Sequence, residues 1–217
     1  MSIILCTQHK GGAGKTTLAV HLAGILATKI NRILLIDCDT QRNAWFFYFR
    51  SKAMTPLELE NYSDPDRASL SIIWNPDREP ISGIADPQTY DHIILDMSTP
   101  LPETVKIIVD NNPNRIFIPV SKHPWSLEGL DDTLPVISQL EKKAGFTPKV
   151  LIVPLGSHKQ IINEKITSIS KLPNHWSVAK RMKDINKEVD QALSEGRFIW
   201  EYPGLESLKT YFCSLIS

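Results

Sequence analysis

Short, wholly apolar runs recur along the chain, each followed by a polar turn and a longer stretch with helical spacing. Ile3–Cys6, Arg32–Ile36, His92–Leu95, Arg115–Val120 and Lys149–Val153 carry their apolar residues without alternation, as strands buried on both faces do. Between them, Thr16–Lys29 sets Leu18, Leu22, Ile25 and Leu26 on one side of a predicted helix. Leu101–Asn111 and Leu127–Ala144 follow the same period, and Leu205–Ile216 gathers Leu205, Leu208, Phe212, Leu215 and Ile216 on one face. Strands of this kind alternating with helices predict an α/β fold: a doubly wound, mostly parallel sheet with helices on both faces. The stretch 51–90 breaks the rhythm, with Pro56, Pro65, Pro76, Pro80 and Pro87 punctuating short elements. No repeat or low-complexity tract divides the chain, so a single domain over 1–217 is expected.

Composition narrows the function classes. The 217 residues carry 24 Lys+Arg and 24 Asp+Glu, so no global field draws the protein to nucleic acid or membrane. Charge is uneven, however: residues 1–50 hold six basic side chains against two acidic ones, so any surface for a polyanion is a local patch. No apolar run approaches the roughly 20 residues that span a bilayer. The N-terminus enters a strand without a basic leader or cleavage site, and Cys6, Cys38 and Cys213 are odd in number and far apart. They read as buried thiols, and the cytoplasm is the expected location. The six histidines show no metal-ligand spacing.

The most specific chemistry lies at His9-Lys10-Gly11-Gly12-Ala13-Gly14-Lys15-Thr16-Thr17, between the first strand and the first helix. Glycines here let successive backbone N–H groups turn inward around phosphate oxygens, and the helix N-terminus adds its positive dipole end. Gly11, Gly12, Ala13, Gly14, Lys15, Thr16 and Thr17 are therefore the candidate nucleotide-binding residues. Lys15 would reach the terminal phosphates of ATP, and the Thr16 hydroxyl would ligate Mg²⁺. Three aspartates close predicted strands, at the edge where doubly wound sheets bind ligands. Asp37 and Asp39 lie two residues apart, which turns both carboxylates toward one cleft or, alternatively, caps the helix expected at Thr40–Arg50. Tyr90–Asp96 is an apolar run ending in Asp96, the Walker B pattern.

The loop departs from G-x-x-x-x-G-K-[ST]: His9 stands at the first glycine position and Lys10 follows it. Lys-Gly-Gly-x-Gly-Lys-Thr-Thr resembles the deviant Walker A motif of the ParA/MinD family of P-loop ATPases. That resemblance implies that Lys10 crosses an ATP-bound homodimer to the phosphates held by the other subunit, supplying charge in trans. It makes Lys10, Lys15 and Asp39 the expected catalytic residues, Asp39 orienting or activating the attacking water. It also makes Thr16, Asp37 and Asp96 the expected Mg²⁺-binding set, Asp96 from the outer shell. In the family's Asp-x-Asp-Pro-Gln stretch, Thr40 replaces the proline here, and Met97-Ser98-Thr99-Pro100 matches the second switch loosely.

The resemblance continues faintly through Arg115–Val120, Trp125–Leu130 and Gly196–Glu201, and the short N-terminus is similar to the small plasmid-partition type. It implies ATP hydrolysis for plasmid or cargo positioning, with a ParB-like stimulating partner. A sequence-independent contact to nucleoid DNA is expected through Lys180, Arg181, Lys183 and Lys187 with Lys159, Lys165 and Lys171. A MinD-like membrane-cycling role through the last helix is the alternative. That helix offers Lys209 against Glu206 rather than a basic face, so packing on the protein is expected instead. The run Trp45–Phe49 is expected to pack in the core, with one or two rings on a dimer or partner surface as the alternative.

Overall fold

The computed structural model describes residues 1–28, 30–51, 55–64, 67–97 and 101–216. They divide into two compact units, one holding residues 1–2, 16–96 and 185–217, the other residues 3–15 and 97–184.

In the first unit the strands run in the order β3-β4-β2-β5, with β2 Ile33–Asp37, β3 Leu59–Asp64, β4 Arg67–Trp74 and β5 His92–Met97. β2 is parallel to both β4 and β5, and β3 runs antiparallel to β4 at the edge. Every residue of β2 is buried, which is why it shows no polar alternation. The hairpin β3–β4 occupies much of the stretch that the prolines made look irregular. Pro56, Pro76, Pro80 and Pro87 lie outside the strands, and exposure of edge strand β3 leaves it mostly polar (Pro65 is outside the described residues). Helix α1, Lys15–Leu26, buries Leu18 through Ala23 without a break. Helix α2, Asn43–Phe49, is shorter than expected because Arg42 and Arg50 adopt left-handed backbone, φ 59° and 55°, at its two ends. Helix α3, Ile81–Ile84, is a single turn.

The unit closes around an aromatic cluster. Trp45, Phe47 and Tyr48 are buried, whereas Phe46 is 42% exposed under the Arg50 guanidinium, so the aromatic run is not wholly core as expected: neighbouring positions of a helix point to different sides. His21 of α1 is at the centre, stacked on Phe212 with ring centroids 4.8 Å apart and edge-on to Trp200 at 5.2 Å. Its Nδ1 lies 2.6 Å from the Thr17 carbonyl, and its Nε2 accepts the Ile199 N–H at 3.0 Å. These partners assign the neutral Nδ1–H tautomer. Helix α7 spans Asn186–Glu195 and α8 spans Ser207–Ile216; Leu208, Phe212 and Leu215 of α8 are buried, so its apolar face is used within the protein.

Burial pushes the His21 pKa down from 6.5 to about 4, with the Thr17 carbonyl opposing the shift. Below pH 6.5 the unfolded chain takes up a proton that the folded ring refuses until about pH 4. This contribution to stability is therefore whole above pH 6.5 and falls by about 3 kcal/mol as the pH drops toward 4. Urea unfolding across that range should show the loss in the wild type. His21→Gln should lack this part of the pH dependence.

In the second unit β1 Ser2–Thr7, β6 Arg115–Ser121, β7 Lys149–Leu155 and β8 Trp176–Val178 stand in that order and run parallel. Helices α4 Leu101–Asn111, α5 Pro124–Ala144 and α6 Lys159–Thr167 belong to the same unit. β8 is three residues long and largely exposed, too short for a period to announce it. Cys6 and Cys38 are buried as expected; Cys213 is exposed on α8, because it falls between the helix positions taken by the core residues Phe212 and Leu215. Among the described residues, no helix is long and apolar enough to cross a membrane.

Candidate nucleotide-binding site

β1 delivers the chain into the glycine loop, and the loop runs directly into α1 at Lys15. Gly12 and Gly14 have φ +68° and +98°, the left-handed region that costs glycine nothing. Gly14 also packs closely on β7: a Cβ there would lie 2.5 Å from Leu155 Cδ1, so the leucine side chain would have to move. Around Gly11 and Gly12 an added Cβ would meet nothing within 4 Å, so the outer wall of the loop borders open space. Ala13 is fully buried and anchors the turn.

Lys15 is only 5% exposed, and its Nζ donates to the Lys10 carbonyl at 2.9 Å. The loop thus folds back on its own lysine, which fixes the ammonium beside the backbone of residue 10. The Lys10 side chain is half-buried, and His9 before it reaches helix α5. Its Nε2 lies 3.1 Å from Asp132 Oδ2, and its Nδ1 lies 3.5 Å from Thr133 Oγ1. Burial lowers the His9 pKa, Lys10 and Lys15 lower it further, and Asp132 opposes them. Thr16 is half-buried and Thr17 buried in the first turn of α1.

The acidic residues gather in the first unit. Asp37 and Asp96 are direct partners in the β2–β5 register, and both are fully buried. Asp37 Oδ1 accepts the Asp39 N–H at 3.0 Å and Oδ2 accepts the Trp45 N–H at 2.9 Å, so the helix-capping role is present. Its pKa is raised, first by burial and then by the Asp96 charge, against those two hydrogen bonds. Burial also pushes the Cys38 thiol up. The Asp39 carboxylate accepts the Gln41 N–H at 2.9 Å, while its backbone carbonyl accepts the Trp74 indole N–H at 3.0 Å. Nothing in the spacing of Trp74 along the chain ties it to Asp39. Only the β2–β4 register, which sets it opposite Asp37, reveals the contact. Of the expected second switch, Ser98, Thr99 and Pro100 lie outside the described residues.

Two buried carboxyl groups, one raising the other's proton affinity, are oxygen donors of the kind that Mg²⁺ takes. Among the described residues, no three His, Cys, Asp or Glu side chains form a metal cage by themselves. Magnesium needs none, since it retains waters and takes phosphate oxygens. A cradle with an open outer wall and a fixed lysine at a helix N-terminus suits a polyphosphate.

Comparison with known proteins gives the family and the fold. Over 243 residues the chain is 26% identical to Maintenance of carboxysome distribution protein A of Gloeothece citriformis, covering 95% of this chain and 93% of that protein. It is 28% identical over 234 residues to the sporulation initiation inhibitor protein Soj of Bacillus subtilis, covering 92% and 90%. A Cyanothece McdA variant in complex with ATP superposes with a TM-score of 0.76 at 18% identity, over 99% of this chain and 95% of that one. The cell division ATPase MinD of Pyrococcus furiosus gives 0.70 at 14% identity, over 99% and 96%. At these identities the structural likeness establishes the fold, a mostly parallel α/β sheet of the P-loop type. The family model for the CobQ/CobB/MinD/ParA nucleotide-binding domain matches residues 4–201, and the chain belongs to that family.

Proposed function

We propose that the protein is a Mg²⁺-dependent ATPase of ParA type, a single ATPase domain that dimerises on ATP and positions a cargo on nucleoid DNA. The observation that carries this reading is the glycine loop with buried Lys15 held on the carbonyl of Lys10. It sets two lysines in one glycine loop, one buried and held, the other half-buried. The amides of Gly11–Thr17 and the Lys15 ammonium would bind the phosphates. Magnesium, held by Thr16, Asp37 and Asp96, would neutralise charge on the phosphate oxygens. Asp39 would orient the attacking water and take up its proton, and Lys10 would reach the phosphates of a second copy.

The names of the relatives support cargo positioning: one maintains carboxysome distribution, and others are chromosome-partitioning ATPases. For DNA, Lys171, Lys180 and Lys183 are exposed on the second unit. Lys165 pairs with Asp131, and the Lys159 ammonium donates to the Val178 carbonyl. Each phosphate neutralised by such residues adds about 0.9 to the log–log salt slope of DNA binding. A ParB-like protein would stimulate turnover. With α8 packed through Leu208, Phe212 and Leu215, its apolar face offers no support for a membrane-binding alternative.

The test is hydrolysis together with light scattering in ATP and in ADP. The wild type should dimerise only with ATP and hydrolyse it. Asp39→Ala should lose about 100-fold or more in turnover, keep ATP, and stay dimeric. Normal hydrolysis by Asp39→Ala would remove the catalytic assignment.

A further inference from the structure

Asp39 is held at both ends of its peptide. Its N–H donates to Asp37 Oδ1 at 3.0 Å, and its carbonyl accepts the Arg42 N–H at 3.1 Å, closing a turn. Both of these partners lie within the same short segment. The tie from another strand is the indole N–H of Trp74, 3.0 Å from the same carbonyl. Trp74 is itself well anchored. It stands opposite Asp37 in the β2–β4 register, the neighbouring Asn75 N–H donates to the Asp37 carbonyl at 2.8 Å, and the Leu57 N–H donates to the Trp74 carbonyl at 2.9 Å.

The far face of the ring is covered. The Arg42 guanidinium lies over it, 4.7 Å from the centroid. Arg42 reaches that place from a left-handed backbone, φ 59°, which costs a non-glycine residue about 1 kcal/mol and persists only where surrounding contacts over-determine it. Leu57, whose N–H meets Trp74, is also left-handed at φ 63°. Thr40 and Gln41, between the two ends of the turn, are exposed and bring no ring that would fix its backbone. Within the turn the Asp39 carboxylate accepts the Gln41 N–H and its carbonyl the Arg42 N–H; the Trp74 bond adds a tie to the neighbouring strand.

We propose that Trp74 is a positioning residue for the hydrolytic step: its indole N–H, clamped beneath Arg42, fixes the backbone of Asp39 and so aims the Asp39 carboxylate. This rests on the reading of Asp39 given above. A carboxylate that must align a water tolerates little drift, whereas phosphate binding by the glycine loop does not use Trp74. Loss of the indole bond should therefore slow turnover and leave nucleotide affinity alone.

Trp74→Phe keeps an aromatic ring and removes the N–H. Its kcat for ATP should fall about tenfold, with KM and the affinity for a fluorescent ATP analogue within about twofold of wild type. Replacing Trp74 with its benzothienyl isostere, in which sulfur takes the place of the N–H, should reproduce the drop without a change in melting temperature; this variant decides the matter if Trp74→Phe does not fold. Unchanged kcat in either folded variant overturns the inference, as does analogue affinity that falls in step with kcat. Asp39→Ala in the same assay separates the two readings. If Asp39→Ala is inactive while Trp74→Phe runs at full rate, only the role of Trp74 is lost. If Asp39→Ala hydrolyses normally, the role of Asp39 falls and takes this inference with it.

Discussion

Lys15→Ala should lose at least about 100-fold in affinity for ATP. The Lys15 ammonium is buried and already aimed, held by the Lys10 carbonyl at 2.9 Å, so no ordering cost is left to meet when phosphate arrives. Two charge-assisted hydrogen bonds to phosphate oxygens are worth about 3 kcal/mol or more together, which is about 100-fold in affinity. Titration calorimetry with Mg²⁺–ATP should show at least that loss. The variant should remain folded but somewhat less stable, because the Lys10 carbonyl loses its donor. Lys15→Arg should not restore binding, since a planar guanidinium does not fit a space shaped for a compact ammonium. Binding of ATP by Lys15→Ala at wild-type strength would remove the nucleotide from this loop.

Lys10→Ala separates the two functions of residue 10. Alanine keeps the carbonyl that holds Lys15, so ATP affinity should stay within a few-fold of wild type. What disappears is the side chain that would reach the other subunit. Light scattering should then find a monomer in ATP, and hydrolysis should fall about 10³-fold, the scale set by cations supplied in trans to a phosphoryl group. The double variant Lys10→Ala, Asp39→Ala gives the sharpest form of the test, because Asp39→Ala alone should be dimeric in ATP and the double variant should not. A dimer in the double variant would show that another contact closes the interface.

How legible these features were in the sequence depended on how local their causes are. The loop declares itself because each of its demands, positive φ at Gly12 and Gly14 and a lysine at the helix start, falls on consecutive residues. Buried strands such as Ile33–Asp37 are equally plain, because burial on both faces leaves no polar position. β3 is hard to read because an exposed edge strand is mostly polar, and β8 because three residues are too few to show a period. The helix at Thr40–Arg50 was drawn too long because no residue type announces the left-handed backbone of Arg42 or Arg50. The partnership of Trp74 with Asp39 spans 35 positions and exists only through strand register. His21 likewise reads as one polar residue on an apolar helix until Ile199 and Phe212 meet it.

The close approach of Gly14 to Leu155 gives the depth of the phosphate cradle a remote determinant. Leu155 ends β7, some 140 residues further along the chain, and its Cδ1 methyl packs against the glycine turn at Gly14. Trimming or enlarging that side chain would lower or lift the ring of amides without altering one atom of the signature. Lineages that share the loop letter for letter can therefore differ in how firmly they grip a nucleotide, and the difference would be written at a position that motif searches pass over.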